Sequence, residues 1–271
     1  MNCGQHQDSV QLGGSFYKVY NNYLWGLANS DMESDWSDTV CGFARVWNNV
    51  FTQSATQPHS HGIEMATHSS CSRSTDFRIY NNTWIDFWGF VAIRWIFDTT
   101  STMVDSSEIK NNIIYNSRPY TINTANYPCG VGIAIDHNNI NANAGVHGST
   151  GGSSHGSTYN GTNTQSGAPA FVSYTEYGTN NDLHLTASSA ADIDKGVNLA
   201  TYFATDKDGT PRPQRAAWDI GAYEYASGSP SPTPTPSASP SPSPSPTPTS
   251  SPLPVIPQTS LTIAGLIPSK P

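Results

Sequence analysis

The dipeptide Asn-Asn recurs through the first half of the chain at nearly regular intervals. Five copies occur there, and they begin at positions 21, 48, 81, 111 and 138. Apolar or aromatic residues flank each copy. Successive copies are roughly 30 residues apart, and a repeat of about 20–50 residues is typical of solenoid proteins, in which each repeat stacks on its neighbours.

Asparagine suits the sharp turn that each such repeat requires. It tolerates the left-handed backbone region, and its side chain hydrogen-bonds to nearby backbone groups in turns. Stacked strands lie about 4.8 Å apart, so equivalent Asn side chains would form an amide ladder. The flanking residues are mostly Val, Ile, Tyr, Trp and Phe, which favour strands, and no helical periodicity separates the pairs. We therefore predict an all-β fold of stacked parallel strands.

Composition favours an extracellular β-rich protein. Of the 271 residues, 36% are hydrophobic and only 12% are charged, with 12 Lys and Arg in total. The net charge of −8 argues against a nucleic-acid partner. The chain has no apolar run of transmembrane length. Its first residues lack the basic start and apolar core of a signal peptide, and the first repeat begins near Val10, so we expect natural sequence upstream of Met1.

The four cysteines, at positions 3, 41, 71 and 129, allow three disulfide pairings. The sequence does not choose among these pairings, and unpaired thiols are an equal alternative. No Cys-x-x-Cys spacing occurs, so the cysteines do not favour a zinc site. We predict no metal site from them.

Composition divides the chain into four segments. Residues 1–160 contain the Asn-Asn repeats and end in a Gly/Ser/Thr/Asn-rich loop, and residues 161–226 are predicted to form terminal coils and a cap. Residues 227–254 are a Ser/Thr/Pro tract, which is typical of a stiff extracellular spacer. Residues 255–271 are a tail or the start of another module. We expect residues 227–271 to be disordered and dispensable for the fold.

Two sets of residues resemble known secreted proteins. The Asn-Asn repeats over residues 8–141 resemble the right-handed parallel β-helix repeats of the pectin-lyase-like superfamily. The segments 182–196, 206–212 and Asp-Ile-Gly-Ala-Tyr-Glu-Tyr at 219–225 are similar to the closing unit of secreted bacterial β-helix proteins. The resemblance implies a right-handed parallel β-helix at the cell surface or outside the cell. It does not imply one activity, because the superfamily contains lyases, hydrolases, epimerases and non-catalytic proteins.

A row of outward-facing residues is predicted on one sheet. Glu64, Arg94 and Thr121 are each separated from the next Asn pair by the same length of chain, and each is in a short apolar strand. Because strand side chains alternate faces, these three should point outward in one column. Gln11 is expected in the same column, and Cys41 is a further candidate. The resemblance implies that this outer face holds polysaccharide.

Both functional and structural interpretations of this row stay open. Glu64 and Arg94 would act as an acid/base or substrate-orienting pair, or would form an ordinary surface salt bridge. His61, with His59 and His68 nearby, suggests proton transfer or a metal, but Ser60-His61-Gly62 also matches a plain turn. We predict Glu64, Arg94 and His61 as catalytic candidates. Exposed aromatic rings also stack on sugars, and the predicted substrate-binding residues are Gln11, Thr121 and Trp36.

Acidic residues cluster at two further places. Residues 31–38 are predicted to be a loop with enough carboxylates for Ca²⁺, although the usual calcium-loop pattern is missing. Asp206 and Asp208 before Gly209 are expected to form a turn, with Arg212 as their ion-pair partner in the cap. Calcium is therefore a candidate cofactor at residues 31–38, whereas at Asp206 and Asp208 the turn is favoured over calcium.

Two classes of function follow. The first is a secreted or cell-surface module that binds or processes extracellular polysaccharide, as a lyase or glycoside hydrolase if it is an enzyme. The second is a non-catalytic stalk or adhesin scaffold with a Ser/Thr/Pro spacer. In both, the partner is an extracellular polysaccharide or cell-surface glycan, and the chain is expected to be a monomer.

Overall fold

The computed structural model describes the repeat region as strands separated by gaps, and it describes the following segment continuously. The described residues are 8–12, 16–25, 30–36, 43–53, 61–67, 76–87, 93–97, 107–117, 122–123, 134–141, 146–147, 161–226 and 261–263. Strands are the only regular elements in these residues. No helix long and apolar enough to cross a membrane occurs in these segments.

Successive strands of the repeat region are assigned to three sheets in turn. Sheet A contains β1 (Asp8–Leu12), β4 (Ser30–Trp36), β7 (His61–Thr67), β10 (Ile93–Phe97), β13 (Ile122–Asn123) and β16 (Val146–His147). Sheet B contains β2 (Phe16–Tyr20), β5 (Phe43–Trp47), β8 (Asp76–Tyr80), β11 (Glu108–Lys110), β14 (Ala134–Asp136) and β19 (Leu261–Ile263). Sheet C contains β3 (Tyr23–Trp25), β6 (Val50–Thr52), β9 (Thr83–Ile85), β12 (Ile113–Tyr115) and β15 (Asn139–Asn141).

Every strand pair in these three sheets is parallel. We call each set of three successive strands, one from each sheet, a repeat. The predicted all-β class is thus confirmed for the described residues, and the predicted parallel pairing is confirmed for these three sheets.

Side-chain alternation decides which residues enter the core. In sheet B, Val19, Val46 and Ile79 are in register and almost fully buried, whereas Lys18 between the inward positions is exposed. In sheet C, the rings of Phe51 and Trp84 stack inside the fold with their centroids 5.1 Å apart. The apolar residues around each Asn pair therefore form the interior, as a half-buried strand requires.

The turn between sheets B and C explains the Asn pairs. The first Asn of the first four pairs has a positive φ of 49–59°, which only a few residue types tolerate. The second Asn is buried, and its side-chain Oδ1 accepts hydrogen bonds from the equivalent Asn of the preceding repeat. We call this series the inner ladder, formed by Asn22, Asn49, Asn82, Asn112 and Asn138.

Each ladder amide satisfies several buried groups at once. The Oδ1 atom of Asn82 accepts from the backbone N and the Nδ2 of Asn49, both at 2.9 Å. Its Nδ2 donates to the carbonyl oxygen of Val46 at 3.0 Å and to Oδ1 of Asn112 at 3.1 Å. Since buried backbone groups are costly to leave unpaired, the amide ladder is part of what makes this tight turn stable.

The fifth Asn pair is shifted by one residue from the predicted alignment. His137 takes the positive-φ position, with φ of 53°, and Asn138 occupies the ladder. Asn139 instead begins β15 and hydrogen-bonds to the carbonyl oxygen of Gly167 and to Asp192. The prediction that Asn138-Asn139 is equivalent to the other pairs was therefore wrong, because histidine also tolerates the left-handed region.

Residues 161–226, which we call the closing unit, first extend the last described repeat, where Gln165 pairs in parallel with Asn139, and then lie along the side of the repeats. Among its residues, strands occur as one antiparallel pair, β17 (Phe171–Ser173) and β18 (Asp182–Leu185). Leu183, Ala222 and Tyr223 pack against Val50 and Ile85 on the outer face of sheet C. We expected residues 220–225 to form a strand that covers the last coil. They instead form bends on the middle repeats.

The first Asn of three pairs anchors the closing unit. We call these residues the outer column, formed by Asn48, Asn81 and Asn111. Their Nδ2 atoms donate to backbone carbonyl oxygens of the closing unit: Asn48 to Thr205, Asn81 to Asp219 and Gly221, and Asn111 to Val197. The pairs that begin at Asn48, Asn81 and Asn111 therefore join neighbouring repeats through their second residues and hold the closing unit through their first.

Gly221 shows why this contact needs a residue without a side chain. Its φ is +99°, and a Cβ atom there would lie 2.5 Å from Cδ1 of Ile113 and 3.0 Å from Oγ1 of Thr83. The glycine thus permits both the backbone conformation and the close approach to sheet C. Its backbone N donates to the carbonyl oxygen of Asn111 at 2.8 Å.

One strand lies in the tail that was expected to be disordered throughout. Leu261–Ile263 pairs in parallel with β2, with Leu261 in register with Tyr17 and Ile263 in register with Val19. This short strand departs from our expectation for residues 227–271. The Ser/Thr/Pro tract and the other tail residues lie outside the described part of the chain, as do all four cysteines.

Candidate functional site

A continuous row of polar residues crosses sheet A. The pairing of β1, β4, β7, β10, β13 and β16 places one residue from each strand in the same register position. We call this set the polar row, formed by Gln11, Glu33, Glu64, Arg94, Asn123 and His147. Ile63, one position before Glu64, is fully buried, and side chains alternate faces along a strand.

The structure brings three of the predicted site residues into this row. Gln11, Glu64 and Arg94 share the register position, and Arg94 is the direct neighbour of Glu64. Glu33 takes the place for which Cys41 was a candidate, and Cys41 lies outside the described residues. Sequence reasoning missed Glu33 because residues 31–38 had been assigned to a loop.

Thr121 was placed in the wrong register. Arg94 pairs with Asn123, two positions later in the chain, and Thr121 itself lies outside the described residues. The error has a physical cause, because the chain between the polar row and the positive-φ turn varies in length. It is shorter from Asn123 to His137 than from Arg94 to Asn111, so a constant spacing fails in that repeat.

His61 and Trp36 belong to other register positions. His61 is the first residue of β7 and pairs with Ser30, three positions before Glu64. Trp36 ends β4 and pairs with Thr67, three positions after the polar row. The backbone register therefore does not place either residue beside Arg94 in the row.

Two glutamates are direct neighbours in the polar row. Glu33 and Glu64 are on adjacent parallel strands, whose backbones are about 4.8 Å apart. Like charges directly opposite each other destabilise a sheet. Arg94 on the next strand supplies one positive charge, and Gln11 and Asn123 flank the three charged positions with amides. The row combines carboxylates, a guanidinium and amides, which are the groups that hydrogen-bond sugar hydroxyls and carboxylates.

The acidic segment at residues 31–38 is not the loop that we expected for calcium. Ser30–Trp36 is an extended strand, whereas the expected calcium site was a loop. Among the described residues, no group of three or more His, Cys, Asp or Glu side chains is arranged to hold a metal ion.

The closing unit covers the outer face of sheet C and the adjoining edge of sheet B. Phe203 stacks on Trp47, with ring centroids 5.8 Å apart, and Trp47 stacks on Tyr20 at 4.4 Å. Leu199 and Trp218 pack against Tyr80. These aromatic residues therefore serve packing between the repeats and the closing unit. In the described contacts, the closing unit packs on sheets B and C, whereas the polar row is on sheet A.

The closing unit contains a buried ion pair that differs from the predicted one. Arg212 Nη1 is 2.6 Å from Glu224 Oε2, and neither side chain is more than 1% exposed. Burial raises the pKa of Glu224 and lowers that of Arg212. Asp206 instead accepts backbone N–H bonds from Asp208, Thr210 and Glu224. The predicted turn at Asp206–Gly209 is present, but the ion-pair partner of Arg212 is Glu224.

A partly exposed histidine links two carboxylates in the closing unit. His184 Nδ1 is 2.5 Å from Asp182 Oδ1, and its Nε2 is 3.1 Å from Asp208 Oδ2. The Asp208 hydrogen bond is the main cause that raises the pKa of His184 to about 9, with Asp182 adding to it. An imidazolium held by two carboxylates joins β18 to the turn at Asp206–Gly209, and its protons are committed to these partners. The arrangement therefore holds these two segments together.

Asp86 is a second buried acid that sequence reasoning missed. Its Oδ1 accepts from the hydroxyl of Tyr174 at 2.5 Å and from Asn116 Nδ2 at 2.9 Å, and its Oδ2 accepts from the backbone N of Tyr177 at 2.8 Å. Burial raises the pKa of the Asp86 carboxyl. Because its bonds reach into the closing unit, Asp86 anchors that unit. No sequence pattern marks such a long-range contact.

Comparison with known proteins identifies no relative: no family model matches the chain, and no curated protein and no solved structure is significantly similar to it.

Proposed function

We propose that the chain is a right-handed parallel β-helix of the pectin-lyase-like kind, secreted or displayed at the cell surface. Three parallel sheets visited in turn, with an asparagine ladder at one turn, support this architecture. The resemblance of residues 182–225 to the closing unit of secreted bacterial β-helix proteins supports the location. The low charge content and the Ser/Thr/Pro tract agree with it.

The proposed activity is binding or processing of an extracellular polysaccharide along sheet A. The observation that carries this proposal is the register of the polar row, which aligns Glu33, Glu64 and Arg94 on three adjacent strands. A row of hydrogen-bonding groups spaced by one strand suits an extended polymer. The juxtaposed glutamates lower sheet stability, so a ligand or a reaction gives a reason for their presence.

Each residue of the row has a proposed role. Arg94 pairs with a carboxylate or hydroxyls of the polymer, because guanidinium binds carboxylates bidentately. Glu64 and Glu33 supply the acid/base pair of a lyase or glycoside hydrolase if the chain is catalytic. Gln11 and Asn123 extend the binding surface at either side. His61 remains a proton-transfer candidate from the same strand as Glu64.

A glycan screen with matched variants tests this proposal. The wild-type chain, Glu33→Gln, Glu64→Gln and Arg94→Ala are compared for glycan-array binding and for lyase and hydrolase activity. We expect the wild type to bind an extracellular glycan and Arg94→Ala to bind it at least tenfold more weakly. The glutamine variants should lose any cleavage while keeping binding. All four should unfold at similar temperatures, because an exposed ion pair contributes about 0–1 kcal/mol.

Lys195→Ala is the charge-matched control. Lys195 is exposed on the closing unit, and its removal deletes one positive charge, as Arg94→Ala does. If this control weakens binding as much as Arg94→Ala, the effect is one of net charge.

If the wild type binds and cleaves nothing, the polar row is an ordinary surface. The second function, a non-catalytic stalk or adhesin scaffold, then applies, and the Ser/Thr/Pro spacer is the feature that favours it.

A further inference from the structure

Three cations are in register on sheet B, a different sheet from the polar row. Lys18 pairs with Arg45, and Arg45 pairs with Arg78, on adjacent parallel strands. The spacing between neighbours along this row is therefore about 4.8 Å at the backbone. The whole chain contains only 12 Lys and Arg residues, so a quarter of them fall in this one register position. Like charges in this arrangement repel each other.

Nearby acids neutralise these cations only in part. Asp76 is 2.7 Å from Arg45 Nη2 and 2.5 Å from Arg78 Nε. Glu108 is 3.0 Å from Arg78 Nη1 and 3.1 Å from Lys110 Nζ. Asp136 is in register with Lys110 on the next strand, so four cations face three carboxylates, which leaves a local excess of one positive charge in a chain whose net charge is −8. We call Lys18, Arg45, Arg78 and Lys110 the basic strip.

The two ends of the strip differ in how far their charges are satisfied. Arg78 is only 15% exposed and is held between Asp76 and Glu108. Arg45 is 26% exposed, and its second guanidinium nitrogen donates to the carbonyl oxygen of Asp76 at 2.6 Å. Lys18 is exposed and forms no ion pair within the described residues. The buried end is therefore fixed in place by its partners, and the exposed end keeps a free positive charge.

An exposed aromatic ring borders the strip. Tyr202 of the closing unit is 44% exposed, and its ring centroid lies 5.1 Å from that of the buried Tyr80. The hydroxyl of Tyr80 donates to Glu108, which fixes this ring beside the strip. Unlike Trp47, which has rings stacked at 4.4 and 5.8 Å, Tyr202 keeps ring surface open to solvent. An aromatic face beside cations matches the mixed apolar and anionic surface of an acidic sugar.

We propose that the basic strip and Tyr202 form a second glycan site, which binds a linear acidic polysaccharide through its carboxylates. Repeated cations one strand apart suit a polymer with regularly repeated carboxylates. The excess positive charge favours an anionic over a neutral chain, and Tyr202 contacts the apolar face of a sugar ring. This site lies on sheet B and is independent of the proposed activity on sheet A.

Retention of the full chain on polygalacturonate tests this site. Lys18→Glu and Tyr202→Ala are compared with Lys195→Glu, which reverses one exposed charge on the closing unit, away from the strip. We expect Lys18→Glu to weaken binding at least tenfold, Tyr202→Ala severalfold, and Lys195→Glu less than twofold. Binding should fall as salt concentration rises, since ionic contacts are screened. Fully methyl-esterified polygalacturonate, which lacks the charges, should bind far more weakly.

Several results would overturn the second site. These are equal binding by Lys18→Glu and Lys195→Glu, equal binding of the esterified polymer, and binding of single-stranded DNA as strong as that of polygalacturonate. Arg94→Ala separates this site from sheet A: it should leave polymer retention through the strip in place while it weakens the sheet A activity. Loss of retention only in Arg94→Ala would assign the acidic glycan to the polar row and contradict the basic strip.

Discussion

In the described repeats, the buried polar side chains are uncharged apart from Asp86, whereas in the closing unit they are mostly charged. The repeats bury amides that hydrogen-bond to identical amides one repeat away, so the buried polar groups of the turn are paired in the same way in successive repeats. The closing unit buries Arg212 against Glu224 and has no repeating element. The difference indicates that contacts between equivalent residues in register stabilise the repeats. A few unique, long-range contacts stabilise the closing unit.

The largest effect is expected from Arg212→Ala. The guanidinium donates to Glu224 at 2.6 Å and to the carbonyl oxygen of Gly221 at 2.9 Å. Its removal leaves a buried carboxylate without its cation, which costs about 3–5 kcal/mol. Denaturant unfolding should show this loss, and hydrogen exchange should show it concentrated in residues 161–226. Arg215→Ala, at a more exposed ion pair with Asp194, is the control and should change stability little. Uniform destabilisation of the repeats would contradict the comparison.

A somewhat smaller effect is expected from Asn82→Ala in the inner ladder. The substitution leaves the buried backbone N of Asn49 and the carbonyl oxygen of Val46 unpaired. Each such group costs about 1–3 kcal/mol, so we expect a loss of about 2–4 kcal/mol that spreads through the repeats.

The matched control is Asn81→Gly in the outer column. Glycine keeps the positive φ of 49° and removes the hydrogen bonds to Asp219 and Gly221, together with the one that Asn81 Oδ1 accepts from Asn111 Nδ2. Its cost should be about 1 kcal/mol, and the amides that exchange faster should be those of the closing unit. Equal effects of both substitutions on the same amides would show that the two asparagines do not have separate roles.

The pH dependence separates the same two regions. Burial raises the pKa of Asp192 from 3.8 to about 6 and that of Glu224 from 4.5 to about 7, so the folded state holds protons that the unfolded state has released. Stability of the closing unit should therefore fall as pH rises from about 4 to about 7. The pKa of His184, raised to about 9, adds a second fall between about pH 6.5 and 9. Thermal unfolding across pH should show both, and Asp192→Asn should reduce the first fall and leave the second unchanged. A pH-independent closing unit would contradict this account.

The smallest effect is expected from truncation after Tyr225. The described tail contributes one three-residue strand on β2, so its removal should cost less than about 1 kcal/mol. Faster exchange should be confined to the amides of Phe16–Tyr20. Loss of cooperative unfolding would show that the tail is part of the fold.

The repeats were predictable because their pattern is local and is repeated. The Asn pairs and the flanking β-formers predicted parallel strands and the amide ladder. The one misaligned pair has a histidine, His137, at the positive-φ position where asparagine was expected. The polar row was predictable only in part, since connections of unequal length moved Asn123 into the place expected for Thr121. Glu33 was missed because an acid-rich strand has the composition of a loop.

The closing unit was predictable as a segment but not as a structure. Its similarity to known closing units located it, yet no local pattern pairs Arg212 with Glu224 or directs Asn81 to Gly221, 140 residues away. Such contacts depend on the relative placement of distant segments. The unit packs mainly along the side of sheet C, and its first residues, around Gln165, continue the last described repeat, an arrangement that no local pattern indicates.

The most direct test of the central claim, a polysaccharide site on sheet A, is hydrogen exchange of the wild-type chain with and without the glycan that it binds best. We predict slower exchange in Ser30–Trp36, His61–Thr67 and Ile93–Phe97, the three strands that carry Glu33, Glu64 and Arg94. This protection should disappear in Arg94→Ala and persist in Lys195→Ala. Protection confined to sheet B or the closing unit, or the same protection in Arg94→Ala, would contradict the account.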